Sequence, residues 1–559
     1  MDTKRLLLAI ALSFVVLFGY QLVFVKKAPE TGLVSQTIAQ PDLGPSDTAL
    51  KTPPTDKPAT IDGVPAPVPP PSASAVEVKT IIKTSLYEAV WSNKGGVLLN
   101  WKLQRHLDEK KQPLELVPRM ADTLGIHPFA LLEDASAGLP VIDIPALQTS
   151  PLNASFYETS GADIVLKDGQ KGELRFRYSD GKSLEVEKIY TFTGGKYDFQ
   201  VDIRVVRNGQ KVEPRVIWGP GIGNPTAEET KKSFGMGNGM TTMAATKVYR
   251  VDERKYKPEQ SVVNYIDWAA YDDNYFCALF LPAAQPGTSA LLRKDTETAS
   301  HFFMAVGRPG RAFIGPKDFD LLTAFGHGAK KLVRFGTFGF FAELLFVVIK
   351  AIHKAVPNWG WSIIILTFII KLIFFPLTYS SSKSMAKMAE LQPKIKSLRN
   401  KYKKSKSDIA ERRKMNEEMM ALYKQHGVNP AGGCLPLVIQ IPFFFGIFSM
   451  LRSAIEFRHS PWMLWIGDLA VRDPYYVTPI LMGITQFISQ KMTPSSADPS
   501  QARMMLIMPF VMTIFFMNFQ SGLVLYWLTS NVLQIGQQYL INRIMKRKKG
   551  ETHGNSRQK

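Results

Sequence analysis

The chain has 559 residues, 45% of them hydrophobic, with 68 Lys and Arg against 48 Asp and Glu, a formal net charge of +20. That length admits several domains, while two cysteines and no cluster of ligand-type residues argue against a disulfide scaffold or a metal centre. The positive charge suits anionic lipid, nucleic acid or acidic clients, and it also accumulates in membrane proteins with basic cytoplasmic loops, so it has to be read by position.

Residues 6–25, LLLAIALSFVVLFGYQLVFV, are long enough to span a bilayer as a helix and are flanked by Lys4, Arg5, Lys26 and Lys27. The run ends in KKAPE rather than a small-x-small exit, so 1–27 reads as an uncleaved membrane anchor. Pro, Ala, Thr and Ser dominate 28–75, which cannot bury enough apolar surface to order itself and reads as a linker. Beyond it the hydrophobic period becomes two. Leu174, Phe176 and Tyr178 lead to a turn at Asp180-Gly181, then Leu184 and Val186, and the alternation resumes at Tyr197, Phe199, Val201, Ile203 and Val205 before Asn208-Gly209. This pattern predicts a β-meander within a large all-β sandwich domain over 76–325. The GMGNGM stretch near 235 has no following lysine or helix start and reads as a loop, not a phosphate cradle.

Residues 339–357 place Glu343, Lys350 and Lys354 on one side of an otherwise apolar helix, the pattern of an amphipathic helix lying in the membrane interface. Further apolar segments fall at about 361–379, 432–451, 475–491, 504–519 and 521–541, making six spans with the anchor. The loop 380–430 carries thirteen Lys or Arg against five acids, and the tail 542–559 is also basic. Both should be cytoplasmic. Six spans then put the N-terminus inside and the β domain on the outer side, in the periplasm if there is an outer membrane. Within 380–428, Met388, Leu391, Ile395, Leu398 and Tyr402 recur at steps of three and four and are answered by Met415, Met419 and Leu422, which predicts an antiparallel helical hairpin. Asp408 and Glu411 suit a capping box on its second helix, and Pro393 should kink the first. The basic outer face of the hairpin suits ribosomal RNA, anionic headgroups or a targeting receptor, or merely fixes topology.

One charge stands inside the apolar text. Lys371 lies roughly 15 Å from Trp361 and roughly 12 Å from Tyr379 along a helix, near mid-membrane. A lysine at a span centre costs about 2.5 to 3.5 kcal/mol on insertion scales, so it normally faces protein or a wet cavity and marks a pathway. The later apolar segments offer it almost no acidic partner. In the last span Trp527, Asn531, Gln534 and Gln538 form one polar stripe, and Gln440 and Thr367 add polar groups at membrane depth. These residues either line a groove with Lys371 or glue helices together. Met504, Met505, Met508, Met512 and Met517 crowd the fifth span, where flexible thioethers suit irregular apolar partners.

NWGWSIIILTFIIKLIFFPLT, SMAKMAELQPKIKSLR, VNPAGGCLPLVIQIPFF, DPYYVTPILMG and SGLVLYWLTSN resemble the YidC family of membrane protein insertases, and the large outer domain resembles its Gram-negative form. The resemblance covers essentially the whole chain. It implies a polytopic α-helical protein of the bacterial inner membrane: a five-helix insertase core, 361–541, enclosing a hydrophilic groove open to cytoplasm and lipid, beneath a periplasmic β-supersandwich. Both termini would be cytoplasmic. The family carries a positive residue in the groove, usually arginine, and Lys371 matches it as a departure that keeps charge but loses the guanidinium fork. Thr367, Gln440, Tyr526 and Trp527 match positions of groove or client contact, with Asn531 and Gln534 on the same stripe; Ile441, Phe444, Met508 and Met512 are the expected hydrophobic slide. The implied partners are nascent membrane proteins, Sec translocon components, the signal recognition particle receptor, the ribosome and membrane lipids, but not DNA. No catalytic reaction, metal or other cofactor is expected. A transporter using Lys371 as coupling charge would show repeated halves, and none is found. An outer-face glycan enzyme would need an acid pair or triad that spacing does not reveal.

Overall fold

The structure, a computed structural model, describes residues 76–133, 141–159, 161–224, 238–257, 262–283, 289–295, 301–402, 409–428, 435–493 and 499–555. The anchor 1–27, the linker 28–75, Asp408, the first half of the glycine stretch near 235 and the last four residues lie outside them; the end of that glycine stretch, expected as loop, enters the strand Gly239–Ala244.

The alternating text of 171–207 forms the predicted meander. Lys171–Ser179, Leu184–Thr193 and Asp198–Arg207 pair antiparallel, with Lys188 opposite both Phe176 and Ile203. Period two sends Leu184, Val186, Tyr190 and Phe192 to one face, where all four are buried. The sheet then grows by pairings far apart in sequence. Asp198–Arg207 takes Pro309–Pro316 as its next neighbour, followed by Phe276–Pro282 and Trp268–Asp272, in a ten-stranded sheet. A five-stranded sheet built around Lys79–Lys83, Tyr87–Ser92 and Val97–Leu107 stacks on it through aromatic rings. Trp91 lies 4.3 Å from Tyr190, and Trp101 lies 5.6 Å from Phe199. Two sheets joined by interdigitating side chains make a sandwich, and a six-stranded sheet containing Arg215–Trp218, Ser289–Asp295 and Phe302–Gly307 extends it.

Nine helices follow among the described residues: α1 Gly339–Ala355, α2 Trp359–Ile373, α3 Phe375–Glu390, α4 Gln392–Lys401, α5 Ile409–Gln425, α6 Leu435–Ser453, α7 Val477–Met492, α8 Pro499–Phe516 and α9 Ser521–Asn555. Helix α1 buries Ala342, Leu345, Phe346 and Ile349 and leaves Phe340, Leu344 and Val347 exposed. Its Lys350 pairs with Asp320 and its Glu343 with Lys330, both from the end of the β region. Helices α4 and α5 pack as a hairpin around Leu391, Ile395 and Val428, with Lys401 and Tyr402 both on Glu418.

Among the described residues no single helix is long and apolar enough to cross a membrane; α2 and α3 meet that test together, bent by 58°. This differs from the unbroken 361–379 segment expected from hydropathy. The cause is Pro376 in the first turn of α3, which offers no N–H to the preceding turn and crowds the carbonyl four residues back. Lys371 therefore sits in the last turn of α2, just before the bend, rather than halfway along a straight rod.

A buried ionic cluster joins the β domain to the helices. Asp272 accepts hydrogen bonds from Lys317 (2.8 Å), Arg334 (2.9 Å) and Thr241 (2.7 Å). From there Ser453, at the end of α6, donates to the Arg334 carbonyl at 2.8 Å, and Asn274 donates to the Arg452 carbonyl at 3.1 Å. Burial alone would raise the Asp272 carboxyl, but Arg334, Lys317 and Arg250 hold it down at about 2.

Candidate functional site: a buried lysine among the helices

Helix α2 begins at Asn358, whose side-chain oxygen caps the Trp361 amide at 3.1 Å. From that start the helical period sends Ile363, Leu366, Thr367, Ile370 and Lys371 inward, while Phe368 and Leu372 face out. Lys371 is only 9% exposed. Its Nζ donates to Gln534 Oε1 at 3.0 Å, and among the described residues no carboxylate pairs with it. Its carbonyl, in the last turn before the Pro376 bend, accepts from Gln537 Nε2 at 3.1 Å. Helix α9 thus holds both ends of this residue, side chain and backbone. An ammonium has three donors, and one neutral acceptor leaves capacity for an arriving anion.

The other expected residues divide. Gln440 of α6 and Tyr526 of α9 share a side-chain hydrogen bond. Trp527 donates to Gln486 of α7 at 3.2 Å, and its ring lies 4.9 Å from both Phe444 and Phe516. Gln538 takes a hydrogen bond from Ser382 of α3 at 3.3 Å. Of the expected residues, only Gln534 is brought to the amine. The Thr367 hydroxyl bonds back to the Ile363 carbonyl at 2.6 Å, and Asn531 donates to the Met482 carbonyl of α7 at 3.1 Å. The stripe on α9 is therefore continuous in sequence but shared in space: its first half faces α7 and its second half faces α2 and α3. Ile441, Phe444, Met508 and Met512 are all half-buried, with Phe444 and Met512 packed against the core. Sequence reasoning passed over Gln486 and Gln537. Gln486 carried a signal, being a lone amide in the apolar run VTPILMGITQFIS, whereas Gln537 is off the stripe and is found only by the bend it caps.

Outside this polar seam the helices are apolar on the surface itself. Phe368 and Leu372 of α2, Ile480 and Ile484 of α7, and Phe510 and Ile514 of α8 are exposed. Exposed apolar side chains on three helices suit a lipid-facing surface. Close packing beneath it depends on Gly483, where an added Cβ would stand 2.0 Å from the Thr513 hydroxyl of α8.

Residues 351–549 match the family model described as 60Kd inner membrane protein, and residues 79–348 the model described as YidC periplasmic domain. A β sandwich joined to apolar helices thus defines an inner-membrane protein with a periplasmic domain. A membrane protein insertase YidC of Syntrophus aciditrophicus (strain SB) is 37% identical over 563 residues, covering 97% of this chain and 99% of that one. Another from Geotalea daltonii is 35% identical over 553 residues, with 97% and 99% covered. The chain belongs to the YidC family of membrane protein insertases, whose named work is insertion rather than a catalysed reaction. A solved structure of an active YidC insertase with its first transmembrane domain resolved overlays 84% of this chain and 94% of that one, at 20% identity and a TM-score of 0.35, too loosely to add detail.

Proposed function

We propose that this chain moves nascent apolar segments from the cytoplasm into the inner membrane along the seam between α2, α6 and α9, with Lys371 as the charge that draws in the client's outer tail. The observation that carries this reading is a buried amine whose described partner is one neutral amide, Gln534. At an effective dielectric near 20, a client carboxylate arriving at 4 Å gains about 4 kcal/mol before desolvation. The tail then crosses less hydrocarbon unaided, while the client's apolar segment passes Ile441, Phe444, Met508 and Met512 into lipid, driven by its own burial there.

In this reading the chain has six spans, with the anchor as the first and both termini cytoplasmic, and the α4–α5 hairpin and basic tail lie on the cytoplasmic side. They meet the ribosome, the signal recognition particle receptor and anionic lipid through their lysines and arginines, and the periplasmic side meets Sec translocon components. No cofactor enters the scheme. The test is reconstitution with a single-span client and a photocrosslinker at Gln440 or Trp527. Crosslinks to the client at both positions, falling in Lys371→Ala and kept in Lys371→Arg, are expected. Crosslinks confined to the β domain would reject the seam as the path.

A further inference from the structure

The segment Arg458–Tyr476, between α6 and α7, has no part in the seam. Three of its non-glycine residues adopt left-handed backbone conformations: His459 (φ 55°), Leu464 (φ 54°) and Tyr476 (φ 56°). A residue with a branched apolar side chain seldom adopts this region, and such conformations persist where the surroundings impose them. The surroundings here are specific. Arg458 donates to the Leu107 carbonyl of the β domain at 3.1 Å, and Asn358 at the start of α2 donates to the Trp462 carbonyl at 3.1 Å. Two amides at the start of α9, Ser521 and Gly522, donate to the Val471 and Leu469 carbonyls at 2.7 and 2.9 Å. The turn itself closes with the Trp462 amide on the Ile466 carbonyl at 3.0 Å, and Trp465 Nε1 donates to Asp473 at 3.1 Å.

The product of this bracing is a bare leucine. Ile466 and Leu469 are buried and Trp462 and Trp465 pack inward, whereas Leu464 is 79% exposed and Tyr475 68%, with Met463 exposed between the two tryptophans. A loop tip in water is ordinarily polar or small. Here the tip is apolar, rigid and rimmed by aromatic side chains that suit a membrane–water boundary. It also adjoins the apolar helix surface. Trp462 lies 6.0 Å from the exposed Trp361 of α2, whose outward face continues to Phe368 and Leu372.

We propose that Arg458–Tyr476 is a rigid interfacial anchor that seats Leu464, Met463 and Tyr475 in the outer leaflet of the bilayer, at the boundary between headgroups and acyl chains. The anchor fixes the depth of the starts of α2 and α9, and so the depth of the Lys371–Gln534 pair. The proposal rests on the reading that the apolar helix surface faces lipid with the β domain outside.

The test uses the full chain with Cys434→Ser, leaving Cys277 buried. Leu464→Cys carries an environment-sensitive nitrobenzoxadiazole fluorophore, and Tyr265→Cys, on an exposed turn of the β domain, carries it as the aqueous control. The proteins are reconstituted in phosphatidylethanolamine–phosphatidylglycerol vesicles with iodide on both faces, or with lipids spin-labelled near the headgroup. The expected result is strong quenching at position 464 by the spin-labelled lipid and an iodide slope several-fold below that at 265. Equal iodide quenching at both positions overturns the proposal. Shielding of 464 from both quenchers overturns it too, since protein rather than lipid would then cover the tip. Assaying client insertion by the same labelled protein, with and without Lys371→Ala, separates the two readings: a wet tip in insertion-competent protein sinks the anchor alone, and a lipid-seated tip in protein whose insertion is indifferent to Lys371 sinks the insertion mechanism alone.

Discussion

Lys371 and Gln534 pair a buried amine with a single neutral amide. A neutral acceptor steadies the ammonium without cancelling its charge, so a carboxylate from outside still gains by approaching. Converting the amide to an acid removes that gain. Gln534→Glu places a resident carboxylate within reach of Nζ, and insertion of acidic-tailed clients should fall about as far as in Lys371→Ala, by tenfold or so if about 1.4 kcal/mol of attraction is lost. Unchanged insertion by Gln534→Glu in proteoliposomes would contradict the role given to the pair. Lys371 was legible because a single charge interrupts an apolar run. Its partner was not, because the two residues are 163 positions apart and nothing in either segment fixes how α2 and α9 cross.

At the scale of elements, the period-two text of 171–207 specified both its strands and their register, since a slip of one residue would turn Tyr190 and Phe192 to water. The next neighbour in that sheet was out of reach: Asp198 pairs with Phe313 across a long intervening chain. The same contrast holds among the helices. Spacing correctly put Trp527, Asn531, Gln534 and Gln538 on one stripe, but a stripe does not say which neighbours it meets, and the structure divides it between α7 and the α2–α3 pair. The bend at Pro376 was readable and was passed over for an unbroken hydropathy window. Gly483 offers a test of this packing. Its Cβ position lies 2.0 Å from Thr513 Oγ1 and 3.2 Å from Thr513 Cβ. Gly483→Ala should therefore destabilise the α7–α8 contact by about 1–3 kcal/mol, and Thr513→Ala in the same chain should recover part of the loss by removing the closer clash. Thermal unfolding in detergent reads both effects, and an additive double variant would contradict the direct contact.

Across the whole molecule, the β domain and the helices are joined through charge as well as apolar packing. Asp272 is fully buried among Lys317, Arg334 and Thr241, and Arg334 in turn holds the end of α6. Because the folded carboxyl titrates near 2 against an ordinary value of 3.8, its contribution is complete above the ordinary value and disappears as pH falls through about 2. The unfolded chain binds the proton first, so stability declines on acidification over that window, by about 2 kcal/mol. Asp272→Asn should remove this acid dependence and, by leaving Lys317 without its countercharge, destabilise the protein at neutral pH by about 3–5 kcal/mol. Denaturant titrations followed by tryptophan fluorescence at pH 7 and in acid check both. An acid slope that survives in Asp272→Asn would assign it to other carboxylates.

Attraction of the client's acidic tail by Lys371 is read out by a two-by-two insertion assay. Chains with Lys371 or Lys371→Ala are each given a single-span client whose short outer tail is either acidic or neutralised by Asp→Asn and Glu→Gln changes. The alanine substitution should slow insertion of the acidic client and have little effect on the neutral one, so the two changes are non-additive. Equal slowing of both clients would contradict it, leaving Lys371 a structural tie between α2 and α9.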